Sequence, residues 1–279
     1  MSAIDRLPPL RTVIASHGLR AKKSLGQNFL LDLNLTGKIA ASAGDLTELN
    51  VIEIGPGPGG LTRALLSAGA RHVYAFEKDV HCIGALSSLI AASDGGLSVV
   101  EADALAINVA LAVPAPRAIV ANLPYNIATP LLLSWLRQVT AFRHMTLMFQ
   151  KEVAERIVAV PNTKAYGRLS VMAQWLCQVK INFHLPPQAF TPPPKVQSSV
   201  VHFTPKGIEE NAPSFDVMEQ LVAAAFGQRR KMLRQSLKTA LGGKTESLLE
   251  TAGIKPTLRA EDLTVADYVR LAQMMSSEI

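Results

Sequence analysis

The sequence predicts an α/β fold with a mostly parallel sheet, followed by a smaller helical region. Three observations predict it. From residue 50 onward, short β-branched runs alternate with helix-like stretches, the pattern of βαβ units. The first of those runs ends in a glycine-rich turn, Gly55-Pro56-Gly57-Pro58-Gly59-Gly60. Beyond Pro205 the strand signal stops, and Phe226, Leu233, Leu237 and Leu241 share one helical face.

The elements follow in order. Residues 51–54 give the first strand, 72–76 the second, ending at Glu77, and 97–101 the third, ending near Asp103. Residues 118–121 give a fourth, ending at Asn122, and 146–149 a fifth. Residues 179–183 and 198–203 enclose a proline-rich stretch, which suits two strands, antiparallel among the options, joined by a long loop. Pro205 to Pro213, with Gly207 and Glu209-Glu210, reads as a linker, so domains over 1–205 and 206–279 are expected.

Composition narrows the function classes. The chain has 279 residues, 48% of them hydrophobic and 18% charged, enough for a large domain and a small one and unlike a disordered chain. The net charge of +6 admits an anionic partner without requiring one. Cys82 and Cys177 lie far apart and in no metal-ligand spacing, as in a reduced intracellular protein. None of the six histidines sits in a ligand spacing either, so no metal is expected. No apolar run reaches the ~18 residues of a membrane span, and the N-terminus lacks the apolar core of a signal peptide. A cytoplasmic location is expected.

The glycine turn opens a helix at about Leu61, and Gly55, Gly57 and Gly60 satisfy the dinucleotide pattern G-x-G-x-x-G, with Glu77 downstream. A tight strand-to-helix turn would use glycines too. The neighbours separate the ligands. A dinucleotide sets its pyrophosphate over a helix N-terminus, where negative charge is favoured. Glu53, just before the glycines, suits a cation instead, as in S-adenosylmethionine, which is a sulfonium and carries no phosphate. Glu77 can accept hydrogen bonds from both ribose hydroxyls. Asp103 can accept from an adenine amine, cap the following helix, or do both.

Asn122-Leu123-Pro124-Tyr125 carries the second half of the chemistry. A purine exocyclic amine is a poor nucleophile, because its lone pair is spread into the ring. The Asn122 side-chain oxygen and the Leu123 or Pro124 carbonyl can accept its two N–H bonds, and the Tyr125 ring can support the base. Taken alone, such a run is an ordinary turn. Phe190 either covers the other face of the base or is plain core.

Five cations fall between Gly227 and Lys238: Arg229, Arg230, Lys231, Arg234 and Lys238. On a helix, Arg230, Arg234 and Lys238 would form a stripe opposite the apolar face. A solvated helix face is the ordinary fate of such a run. With no acid between Glu219 and Glu246, phosphate contacts that place a nucleic acid are favoured, and the resemblance given below implies RNA. Lys22, Lys23 and Lys195 are expected to extend that surface.

These runs together resemble the ribosomal RNA adenine N6,N6-dimethyltransferase family, most of all its bacterial small-subunit branch. The resemblance rests on Gly55 to Gly60, Glu77, Asp103 and Asn122 to Tyr125. Two further segments carry it: Lys22-Lys23-Ser24-Leu25-Gly26-Gln27-Asn28-Phe29-Leu30, and Phe190 through Val200 with its Pro192-Pro193-Pro194-Lys195 core. It implies a Rossmann-like methyltransferase sheet of seven strands, the last pair reversed, and a small helical C-terminal domain. It implies cofactor roles for Asn28, Leu30, Gly55, Glu77, Asp103 and Asn122, beside the Glu53 and Gly57 read from the turn. Its implied substrate is two adjacent adenines in a hairpin loop near the 3′ end of small-subunit (16S) rRNA, within an assembling 30S-type particle, and a monomer is expected. Three other readings are the large-subunit methylase of the macrolide-resistance type, a non-catalytic assembly or transcription factor of the same fold, and a nicotinamide oxidoreductase.

Overall fold

The computed structural model describes residues 3–22 and 25–276. Among the described residues nine strands form in chain order: β1 (Phe29–Leu30), β2 (Asn50–Ile54), β3 (His72–Glu77), β4 (Leu97–Glu101), β5 (Arg117–Asn122), β6 (Met145–Gln150), β7 (Cys177–Leu185), β8 (Phe190–Thr191) and β9 (Ser198–Pro205). Seven of them make one sheet in the order β4-β3-β2-β5-β6-β9-β7. The pairs from β4 through β6 are parallel, and β9 runs antiparallel to β6. All seven main strands expected from the sequence are present. β1 and β8 add a two-stranded antiparallel ribbon that the sequence pattern did not reveal.

The central strands read as continuous apolar runs because both faces are covered. Every residue of β2 is buried, including Asn50 and Glu53. The helix Tyr125–Leu136 buries Ala128, Leu131, Leu132, Trp135 and Leu136, the spacing of a single helical face.

The chain forms two compact units. One holds Met1–Lys151 and Lys180–Pro205; the other holds Glu152–Val179 and Lys206–Ile279. A unit boundary falls after Pro205, and residues 152–179 group with the C-terminal part. Packing gives the reason. The helix Arg168–Leu176 packs against the helices Phe215–Gly227 and Val265–Ser276. Aromatic contacts join the same region: Tyr166 with Phe226, Trp175 with Phe215, and Phe226 with Tyr268.

The expected basic helix over 227–238 is broken. The helix Phe215–Gly227 ends at Gly227, and the next helical turns are Leu233–Ser236 and Lys238–Leu241. The Leu233 and Arg234 N–H groups donate instead to the Leu258 and Pro256 carbonyls, at 2.7 and 3.1 Å. Those bonds to a distant loop replace the intrahelical ones. Arg230, Arg234 and Lys238 are exposed, but on separate elements rather than as one stripe.

Candidate active site

The strand order sets the site. Asp103 follows β4, Glu77 ends β3, Gly55 follows β2 and Asn122 ends β5, so the four stand in that order along the carboxyl edge of the sheet. The chain reverses direction across the sheet between β2 and β5, which is where open α/β sheets bind ligands. A cleft there is lined by Asn28, Leu30, Glu53, Gly55, Gly57, Glu77, Asp103, Asn122, Leu123, Pro124 and Tyr125. Every cofactor residue expected from the sequence lies in this lining. So do four of the five residues expected to hold the reacting group.

The glycine turn is held by Glu77. Gly57 has φ +54° and donates its N–H to Glu77 Oε2 at 3.1 Å, while Glu77 Oε1 accepts from the Lys78 and Asp79 N–H groups at 2.9 Å each. Burial raises the Glu77 carboxyl above its ordinary range, although these three N–H groups pull the other way. Gly60 must lack a side chain because a Cβ there would sit 2.6 Å from the Leu30 carbonyl oxygen. The N-terminal segment thus lies directly on the turn.

That segment is latched from its other end. Lys22 Nζ pairs with Asp79 Oδ1 at 3.0 Å, and Gln27 Nε2 donates to Asp79 Oδ2 at 3.3 Å. Burial alone would raise the Asp79 carboxyl. Lys22, together with hydrogen bonds from His81 and Gln27, outweighs it and holds the carboxyl low. Lys22, expected to face RNA, is therefore engaged in fastening the segment; Lys23 lies outside the described residues.

Two acids differ in state. Glu53 is 1% exposed, and burial pushes its carboxyl up to about 8. Nearby Thr62 pulls the other way, and the Glu77 charge adds to the rise. Glu53 Oε2 is buried without a partner. Asp103 is held low by its 2.7 Å bond from Lys78 Nζ and by the Leu105 N–H at 3.0 Å. The Leu105 bond closes an Asx turn rather than capping a helix: the following helix, Val109–Ala112, is capped by Asn108, so the capping use expected of Asp103 is not realised.

At the base-facing end, Asn122 Nδ2 donates to the Asn28 carbonyl at 3.4 Å, and Asn28 Nδ2 donates to the Gly26 carbonyl at 3.3 Å. Tyr125 opens its helix after Pro124, and its phenol lies 2.6 Å from Ser198 Oγ. Phe190, expected either to cover the base or to be core, lies away from the cleft lining. It is 3% exposed, pairs with Leu30 in the β1–β8 ribbon and joins the core with Met148, Leu185 and Val200, outside the cleft lining. An apolar ring on a short ribbon found the core, the plainer of its two readings.

The model of the ribosomal RNA adenine dimethylase family matches residues 18–277. The chain belongs to this family. Among curated members, it is 60% identical to the ribosomal RNA small subunit methyltransferase A of Mesorhizobium japonicum, over 96% of this chain and 98% of that one. A crystal structure of a dimethyladenosine transferase from Plasmodium falciparum superposes with a TM-score of 0.77 at 26% identity, covering 88% of this chain and 97% of the other. The structure of the 23S rRNA methyltransferase ErmE gives a TM-score of 0.66 at 26% identity, covering 89% and 100%. Within that family frame, Ser198 is the residue that sequence reading passed over: it stood inside the Phe190–Val200 motif with no role assigned.

The RNA-facing residues divide. Lys195 is exposed on the segment between β8 and β9. Arg229 and Lys231 belong with Arg230, Arg234 and Lys238 to the second unit. Arg229 is already engaged: its guanidinium pairs with Glu261 and donates to the Lys164 and Thr163 carbonyls at 2.9 and 3.2 Å.

Proposed function

We propose that this dimethylase transfers methyl groups from S-adenosylmethionine to N6 of two adjacent adenines in a hairpin loop near the 3′ end of small-subunit ribosomal RNA, two to each. The substrate would be an assembling 30S-type particle in the cytoplasm, and the enzyme would act as a monomer. The observation that carries this reading is the convergence, in one cleft, of the glycine turn, Glu77 and Asp103 with Asn122-Leu123-Pro124-Tyr125. High identity to a small-subunit enzyme over nearly its whole length favours that substrate over large-subunit RNA.

The donor set fits S-adenosylmethionine. A buried carboxyl oxygen without a partner, Glu53 Oε2, suits a ligand that is cationic and carries an amine, and suits a pyrophosphate poorly. Glu77 would hold the ribose hydroxyls, Asp103 the adenine amine, and the backbone near Asn28 and Leu30 would cover the ligand. When bound, S-adenosylmethionine supplies an electrophilic methyl group on sulfonium sulfur.

The protein's own contribution is positioning. Asn122 Oδ1 and the Leu123 or Pro124 carbonyl accept the two N6–H bonds and aim the nitrogen lone pair at the methyl carbon. Tyr125 supports the base face. The methyl group would pass to N6 with the C–S bonding pair staying on sulfur. The alkylated ammonium is strongly acidic and gives its proton to water, so no general base is needed. Orientation of this kind supplies up to ~7–11 kcal/mol. N6 is engaged in a duplex, so the target adenine must be unpaired or flipped out.

The test is incubation with methyl-labelled S-adenosylmethionine and isolated small- and large-subunit particles. Label confined to small-subunit RNA is expected; label in large-subunit RNA or in DNA would overturn the substrate assignment.

A further inference from the structure

Tyr125 Oη and Ser198 Oγ lie 2.6 Å apart. Ser198 is completely buried and is the first residue of β9, opposite Gln150 of β6. It therefore stands where the proline-rich segment re-enters the sheet. A buried hydroxyl costs stability unless it is bonded, and alanine would pack at this position without that cost. The next residue, Ser199, points to the opposite face, as strand alternation requires, and meets His184 Nδ1 at 2.7 Å. Of two adjacent buried serines, one bonds to a neighbouring strand and the other to Tyr125, which lines the cleft.

We infer that Ser198 is a positioning residue for methyl transfer, fixing through the Tyr125 phenol the ring on which the target adenine rests. This rests on the reading of Tyr125 as the support of the base. Tyr125 is half-buried at the first position of its helix, so the helix fixes its backbone but not its ring. The phenol oxygen lies on the axis of ring rotation. A bond there fixes where the ring sits, leaving rotation about its own axis to the groups packed on its faces, and ring position is what a stacked base reads first. Burial also raises the phenol above its ordinary range, against the pull of the Ser198 bond, so the ring stays neutral.

The experiment measures kcat and the KM for S-adenosylmethionine, with small-subunit particles as substrate, for Ser198→Ala, Tyr125→Phe and the double variant. Loss of one buried hydrogen bond corresponds to about a three- to tenfold change. Each single variant is expected to lose that much kcat with the cofactor KM unchanged, and the double variant to lose no more than the worse single one. Tyr125→Phe removes the bond without touching the sheet, and Ser198→Thr keeps the hydroxyl and is expected to recover kcat. Multiplying losses in the double variant, or full kcat in Ser198→Ala, would overturn the role of Ser198. Full activity in Tyr125→Ala would instead overturn the underlying reading of Tyr125.

Discussion

Asn122 Nδ2 donates to the carbonyl oxygen of Asn28 across 3.4 Å, joining residues 94 apart in the chain. An amide that donates on one side presents its oxygen on the other. The segment expected to cover the cofactor thus orients the oxygen that would accept from the target amine, and one contact serves both halves of the cleft.

The first prediction concerns the two transfers. An unmethylated adenine offers two N–H bonds; a monomethylated one offers one. Asn122→Ala is expected to depress the first transfer roughly 5- to 150-fold, the span of losing a partner for a buried polar group, and the second transfer less. Rates on unmethylated and monomethylated RNA, measured separately, check this; equal losses would refute it.

Glu53 makes a pH prediction. Its folded carboxyl titrates at about 8, well above the unfolded 4.5. The stability associated with the protonated form is complete below pH 4.5 and is lost as pH rises through about 8. The ligand-free enzyme should therefore melt at lower temperature at pH 8 than at pH 6, and Glu53→Gln should flatten that slope. A cationic ligand favours the ionised acid, so S-adenosylmethionine should bind more tightly as pH rises toward 8, less so in Glu53→Gln. Calorimetric titration across that range reads both.

The basic run separates by variant. Arg230→Ala, Arg234→Ala and Lys238→Ala should weaken RNA binding, each lowering the slope of log affinity against log salt by about 0.7 where a phosphate contact is lost. Arg229→Ala should instead lower the melting temperature, because the Thr163 and Lys164 carbonyls and Glu261 lose their donor. After discounting for partial exposure, that loss is about 1 kcal/mol. Binding isotherms at several salt concentrations, beside thermal melts, distinguish the two behaviours.

Glu77→Gln should raise the KM for S-adenosylmethionine by tenfold or more and lower the melting temperature. The substitution turns one of two accepting oxygens, which together take three N–H groups, into a donor. An unchanged KM would remove Glu77 from the cofactor site.

Much of this cleft was legible in the sequence because its parts are local. Gly55, Glu77, Asp103 and Asn122 each mark the end of a strand, and strand ends show in alternation and turn chemistry. What escaped is set by distant partners. The break after Gly227 follows from bonds between Leu233 and Leu258 and between Arg234 and Pro256. The β1–β8 ribbon joins Leu30 to Phe190, which explains why that ring is core. Residues 152–179 join the C-terminal unit through aromatic packing that has no period to read. Ser198 looked like any polar strand residue until its burial and the Tyr125 phenol were seen together.

The central claim is adenine N6 chemistry at Asn122 to Tyr125. Nucleoside mass spectrometry of small-subunit RNA, after reaction with the enzyme and S-adenosylmethionine, tests it most directly. N6,N6-dimethyladenosine from two adjacent positions is the predicted product, strongly reduced with Asn122→Ala. Methylation of a ring carbon, of another base, or of adenine at N1 would contradict it.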